Sequence, residues 1–175
     1  MHRRSFLKLG AASFLSLAAQ KAFAALPERK LSLYNIHTGE SLETVYWSGG
    51  SYVGESLGEI DHVLRDFRTG DVLSMDTRLL DLLHAIRIET GGTAPFHVIS
   101  GYRSPKTNAF LHANSSGVAT HSLHMKGMAA DICLPGRDLS SLRKVALDLG
   151  VGGVGYYPRS NFVHVDVGRV RHWQG

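Results

Sequence analysis

Ser122-Leu123-His124-Met125-Lys126-Gly127-Met128-Ala129-Ala130-Asp131 holds a histidine and an aspartate with six residues between them. His124 falls on a turn. Asp131 falls in the strand-like run Met128 to Leu134, and Gly127 lets the backbone bend so that both side chains face one point. Downstream, Phe162-Val163-His164-Val165-Asp166 supplies a second histidine with apolar neighbours on both sides. Two imidazoles and one carboxylate leave the fourth position of a tetrahedral zinc open to water. That is the pattern of a catalytic site, since structural sites are closed by four protein ligands. The remaining residues read as the scaffold of that site.

Working outward, Leu31 to Ile36 and Glu43 to Trp47 read as short strands joined by the turn His37-Thr38-Gly39-Glu40, a hairpin. Ser48-Gly49-Gly50-Ser51 reads as a loop. Leu57, Ile60, Val63, Leu64 and Phe67 recur at helical spacing. Asp76 caps a second helix with Leu79, Leu80, Leu83 and Ile86 on its core face, and Gly91-Gly92 ends it. Phe96 to Ser100 is a buried strand. Ser104-Pro105 is a cap followed by proline at the first helical position, so residues 105–113 form a short helix. Asn114 to Thr120 is a loop. Ser140 caps a helix to about Leu149, and Val154–Tyr157 and Phe162–Val167 form the last two strands around a turn at Pro158-Arg159-Ser160. Helices and strands come in mixed order. The expectation is an α+β fold, one small domain with a mainly antiparallel sheet flanked by helices.

The 175 residues suit one domain. The formal charge is +4, but Arg3, Arg4, Lys8 and Lys21 fall in the first 24 residues, which hold no acid. Removing those four from 19 basic residues leaves 15 against 15 acidic ones, so the rest of the chain is neutral and nucleic-acid binding is disfavoured. Residues 1–24 read as a twin-arginine signal. Arg3-Arg4-Ser5-Phe6-Leu7-Lys8 precedes an apolar stretch from Leu9 to Ala19, and Ala22-Phe23-Ala24 has the form of a cleavage site. The apolar stretch is short for a span, which needs about 20 residues. Residues 25–175 are then the exported domain, periplasmic or secreted, with the twin-arginine machinery as a partner and no lasting membrane span. The single cysteine, Cys133, rules out an intrachain disulfide and reads as a small buried hydrophobe.

Ser122-x-His124-x-x-Gly127-x-Ala129-x-Asp131 with the distal His164 resembles the zinc peptidases of bacterial cell walls, the D-alanyl-D-alanine peptidase and lysostaphin-like superfamily. The most similar branch is the YcbK type, the murein endopeptidase K group. Ser100-Gly101-Tyr102-Arg103-Ser104-Pro105-Lys106-Thr107-Asn108 and Phe162-Val163-His164-Val165-Asp166-Val167-Gly168 also fit it, and the resemblance covers most of residues 30–173. It implies that His124, Asp131 and His164 are zinc ligands. It also implies that Arg103 faces the zinc and holds substrate oxygens, which suits a planar guanidinium fork.

The general base is open. Related dipeptidases carry a glutamate three residues before the last histidine ligand, where this chain has Asn161. Others carry a histidine two residues before it, where this chain has Phe162. Asp166, His121 and His112 remain. Asp166 shares a strand face with His164, so it either takes the proton or orients the ligand from behind. Gly150-Val151-Gly152-Gly153-Val154-Gly155 matches a dinucleotide fingerprint in letters only. It follows a helix and precedes a strand, the reverse of what that mechanism needs, and reads as a tight connection with Gly150 as C-cap. Trp47, His172 and Trp173 take no assigned role.

The resemblance implies a zinc-dependent murein endopeptidase acting on stem peptides and their cross-links. The alternatives are a D,D- or L,D-carboxypeptidase and a non-catalytic module that binds zinc and peptidoglycan.

Overall fold

Leu31 and Leu33 alternate inward along Arg29–Asn35 (β1), which pairs antiparallel with Ser41–Ser48 (β2). The computed structural model describes residues 27–115 and 118–175, so the expected signal segment 1–24 lies outside the described residues. A third strand, Ser51–Tyr52 (β3), extends the hairpin where the sequence suggests only a loop. Gly49 and Gly50 both take positive φ, 60° and 87°, and this two-residue turn lets Ser48 pair with Ser51.

The first helix (α1) is Gly54–Val63. It ends before Phe67, which the helical spacing included; Leu64 is already its C-cap. The second (α2) is Thr77–Thr90, capped by the Asp76 side chain on the Arg78 N–H and ended at Gly91. Phe96–Ser100 (β4) follows, then Pro105–Asn114 (α3), whose Ser104 cap accepts from the Thr107 N–H. A short 3-10 turn, Leu123–Lys126, leads into Ala129–Cys133 (β5). The next helix (α4), Leu139–Leu149, starts ahead of the expected Ser140 cap. Asp138 occupies the N-cap instead, without a side-chain bond. Gly153–Tyr157 (β6) and Phe162–Asp166 (β7) pair as a hairpin. They are not the last strands: Arg171–Gln174 (β8) adds a further one beside β6.

The eight strands form one sheet in the order β3-β2-β1-β4-β5-β7-β6-β8. β1 with β4 and β6 with β8 are parallel, and every other pair is antiparallel. The fold is α+β with a mainly antiparallel sheet, as the mixed element order indicates. Leu31, Leu33, Phe96, Ile132, Val163 and Val165 from the sheet join one buried core with Leu79, Leu83 and Ile86 of α2 and Leu142 of α4. Side chains alternate across a strand. Since Ala130, Ile132, Val163 and Val165 enter that core, Asp131, His164 and Asp166 point to the opposite face. Cys133 shares that second face and is half-buried, which pushes its thiol up.

Candidate metal centre and cleft

Strand register brings the candidate residues together. Asp131 on β5 lies directly opposite His164 on β7. The same row continues through Gly155 on β6 to Trp173 on β8. His124 arrives from the 3-10 turn. Its Ser122 cap fixes the start, and Gly127 ends it at φ 66°, a left-handed position where a Cβ would sit 2.7 Å from the Ser74 carbonyl oxygen. The bend expected at Gly127 is therefore present.

Three donor atoms converge. His164 Nδ1 is 2.8 Å from Asp131 Oδ1, His124 Nε2 is 3.2 Å from the same oxygen, and the two ring nitrogens are 3.1 Å apart. All three residues are buried. The outward nitrogens are also engaged. His124 Nδ1 lies 2.7 Å from the Gly101 carbonyl, and His164 Nε2 lies 3.1 Å from Asp166 Oδ2. Both partners are acceptors, so each outward nitrogen carries its hydrogen, and a cation held beside Asp131 would draw a lone pair from each inward nitrogen. Two neutral imidazole lone pairs and a carboxylate oxygen pointing at one spot are a donor set suited to a divalent cation of the zinc type.

The electrostatics follow from burial and crowding. Burial pushes the His124 imidazolium down. Burial also works against charge on His164, but hydrogen bonds to Asp131 and Asp166 outweigh it and move that ring upward. Burial raises the Asp131 carboxyl, and the two histidines overcome this and hold it far below the usual carboxylate range.

Asp166 lies behind His164 and is fully buried. Its Oδ1 accepts from the N–H groups of Gly153 (3.0 Å) and Gly168 (2.8 Å) and from Arg171 Nη1 (3.1 Å). Its Oδ2 accepts from Arg171 Nη2 (2.7 Å) and faces His164 Nε2. The glycine run 150–155 makes room for this arrangement. Gly150 is the left-handed C-cap of α4. A Cβ at Gly153 would strike Asp166 Oδ2 and the Arg171 guanidinium, and one at Gly155 would sit 2.7 Å from the Trp173 ring. Trp173 crosses the bare Gly155 to reach within 5.2 Å of the His164 ring, and its Nε1 donates to the Tyr157 hydroxyl at 2.8 Å. Tyr157 in turn stacks on Phe162 at 4.5 Å.

His124, Asp131 and His164, with Tyr157, Phe162, Arg171 and Trp173, line an open cleft of about 610 Å³. Arg103 lines it too. Its backbone N–H donates to the His124 carbonyl at 3.2 Å, and its Nη2 is 3.5 Å from Asp131 Oδ2. Its Nε is buried without a partner among the described residues. His121 stands in the cleft wall, whereas His112 is turned to the Val118 carbonyl at 2.7 Å and does not line the cleft. Asn161 takes positive φ, 53°, in the β6–β7 turn, a conformation asparagine tolerates. Arg68, Arg171, Tyr157 and Trp173 carry no motif and were not legible as cleft residues in the sequence; only the aromatic character of Trp173 hinted at it.

Residues 23–173 match the M15 peptidase family described as peptidoglycan L,D-endopeptidase MepK. The chain belongs to that family. It is 44% identical over 176 residues to the peptidoglycan L,D-endopeptidase MepK of Escherichia coli, covering 98% of this chain and 97% of the relative. It is 38% identical over 179 residues to a probable peptidoglycan L,D-endopeptidase MepK of Haemophilus influenzae, covering 99% and 96%. Family membership extends over both halves of the cleft, from the Arg68 wall to the C-terminal strand.

Proposed function

We propose that this protein is a zinc-dependent murein endopeptidase that opens peptide cross-links of peptidoglycan. The observation that carries the reading is the convergence of His124 Nε2, His164 Nδ1 and Asp131 Oδ1 in one buried cluster. Gly101 and Asp166 hold the outer nitrogens of His124 and His164, so a cation beside Asp131 Oδ1 would draw a lone pair from each inner nitrogen. The relatives' names specify an L,D-endopeptidase. On that ground the bond assigned to this chain is an amide between an L- and a D-configured centre.

His124, Asp131 and His164 are the proposed ligands. Zinc held there supplies a Lewis acid and a water of lowered pKa, toward about 7. Arg103 lines the cleft with a loosely held Nη2, 3.5 Å from Asp131 Oδ2, and would donate to the scissile carbonyl oxygen as it gains charge. Asp166 orients His164. Its oxygens are committed to Arg171, two backbone N–H groups and the ring, and it has no path to solvent. The base is therefore sought elsewhere. His121, the one of the three candidates that lines the cleft, would take the proton from the attacking water. Residues 1–24 are assigned as the twin-arginine leader, and the activity is placed in the periplasm or outside the cell. Among the described residues no helix is long and apolar enough to cross a membrane.

The test is a digest of purified cross-linked peptidoglycan with the zinc-loaded protein, the chelated protein and His164→Ala, with muropeptides separated by mass. Conversion of cross-linked dimers to monomers by the zinc-loaded protein alone is the expected result. Release of free D-alanine with dimers intact would identify a carboxypeptidase. Unchanged muropeptides with one zinc bound would leave a binding module.

A further inference from the structure

Two arginine-bearing loops are tied to one buried carboxylate. Asp66 Oδ1 accepts from the Arg68 N–H at 2.9 Å, and its Oδ2 accepts from the Ser104 N–H at 2.8 Å, next to Arg103. Asp66 thereby sets the spacing of Arg68 and Arg103 along one side of the cleft, and both line it. The Arg68 guanidinium lies 4.2 Å over the Phe67 ring. That ring is stacked at 3.8 Å on His37, whose Nε2 is 3.1 Å from the Ile99 carbonyl oxygen. Backbone and side chain of Arg68 are both held, although the residue is exposed.

Its charge is unanswered. No acid pairs with the Arg68 side chain among the described residues, and it makes no side-chain hydrogen bond among them. Arg171 is matched by Asp166, and Arg103 lies near Asp131. Asp131 is the sole acid lining the cleft and faces the two histidines. An exposed arginine usually keeps its head in water. Here it is stacked over an aromatic ring at the rim of a cation-rich cleft.

We propose that Arg68 is a specificity-determining residue that binds a free carboxylate of the substrate peptide, so that the cleft selects acidic stem peptides over amidated ones. This rests on reading the cleft as the peptide-binding site of the enzyme proposed above. A guanidinium fork pairs with both oxygens of a carboxylate and has no equivalent pairing with a neutral amide.

The test uses two uncleavable stem-peptide dimers, N-methylated at the cross-link amide: one with free carboxylates, one with every carboxylate amidated. Each is titrated calorimetrically into the zinc-loaded wild type, Arg68→Ala and Arg68→Lys. Wild type is expected to bind the acidic dimer about tenfold more tightly, the loss of one charge-assisted contact. Arg68→Ala should lose the preference and Arg68→Lys keep part of it. The preference should shrink with added salt. With the cleavable dimers, Arg68→Ala should raise KM on the acidic substrate by the same factor and hold kcat within about twofold. A preference that survives in Arg68→Ala, or is absent from wild type, overturns the proposal. A wild type that binds with the expected preference yet cuts neither dimer sustains the carboxylate site and retires the endopeptidase reading instead.

Discussion

Arg171 donates to both oxygens of Asp166, at 3.1 Å from Nη1 and 2.7 Å from Nη2. The carboxylate it holds is the one that faces His164 Nε2 at 3.1 Å. A residue of β8 therefore controls a ring on β7 through an intermediary, without touching the metal position.

Arg171→Ala should weaken zinc binding by about 10- to 100-fold, the usual cost of removing an outer partner of a ligand. Arg171→Lys should recover part of that, because a lysine can pair with one oxygen but not both. Competition against a chromophoric chelator measures this without reference to activity. Unchanged zinc affinity in Arg171→Ala would remove the orienting role from Asp166 and Arg171 together.

Gly155→Ala should displace Trp173. The new methyl would sit 2.7 Å from the indole, inside contact distance. Overpacking of this kind costs about 1–3 kcal/mol. Thermal unfolding should report that loss and tryptophan fluorescence should shift. Val151→Ala, at an exposed position in the same run, should do neither.

His121→Ala is expected to lower kcat by about 10²- to 10⁴-fold, the usual range for a positioned acid–base group. Zinc should stay bound at one equivalent. Wild-type kcat in His121→Ala would exclude it as the base.

Asp66 gives the protein an acid-sensitive contact remote from the metal position. Burial pushes its carboxyl up, but hydrogen bonds from Thr107, Ser104 and the Arg68 backbone outweigh this and hold it at about 2, below the ordinary 3.8. A depressed folded-state pKa stabilises the protein above about 3.8. That contribution disappears as pH falls toward 2 and below. The shift corresponds to about 2 kcal/mol. Denaturant unfolding of wild type and Asp66→Asn at pH 7 and pH 2.5 checks it: the gap between the two proteins should narrow at the lower pH.

Local rules carried the sequence reading as far as local physics reaches. Ser104, Asp76 and Gly150 cap or end helices by their own chemistry, and the β1–β2 hairpin follows from alternation around a polar turn. The convergence of His124, Asp131 and His164 was legible because the residue types are those of a metal site and a family pattern supplied their partners. β8 was not legible. Arg171-His172-Trp173-Gln174 has no apolar run, and an edge strand beside β6 needs little inward-facing surface. The helix start at Leu139 in place of Ser141 shows how little separates Asp138 from Ser140 as caps when neither is bonded. Arg68 and Arg171 were invisible for a different reason: each acts through contacts that exist only after the sheet and its loops have closed.

The two duties of the cleft are segregated along the chain. The Arg68 guanidinium comes from the loop after α1, while every proposed zinc ligand and the Asp166 support follow residue 123. Mutational drift can therefore retune which peptides are gripped while the hydrolytic apparatus stays untouched. A chimera that exchanges residues 65–72 between two relatives should import the donor's substrate preference into the recipient's catalytic half.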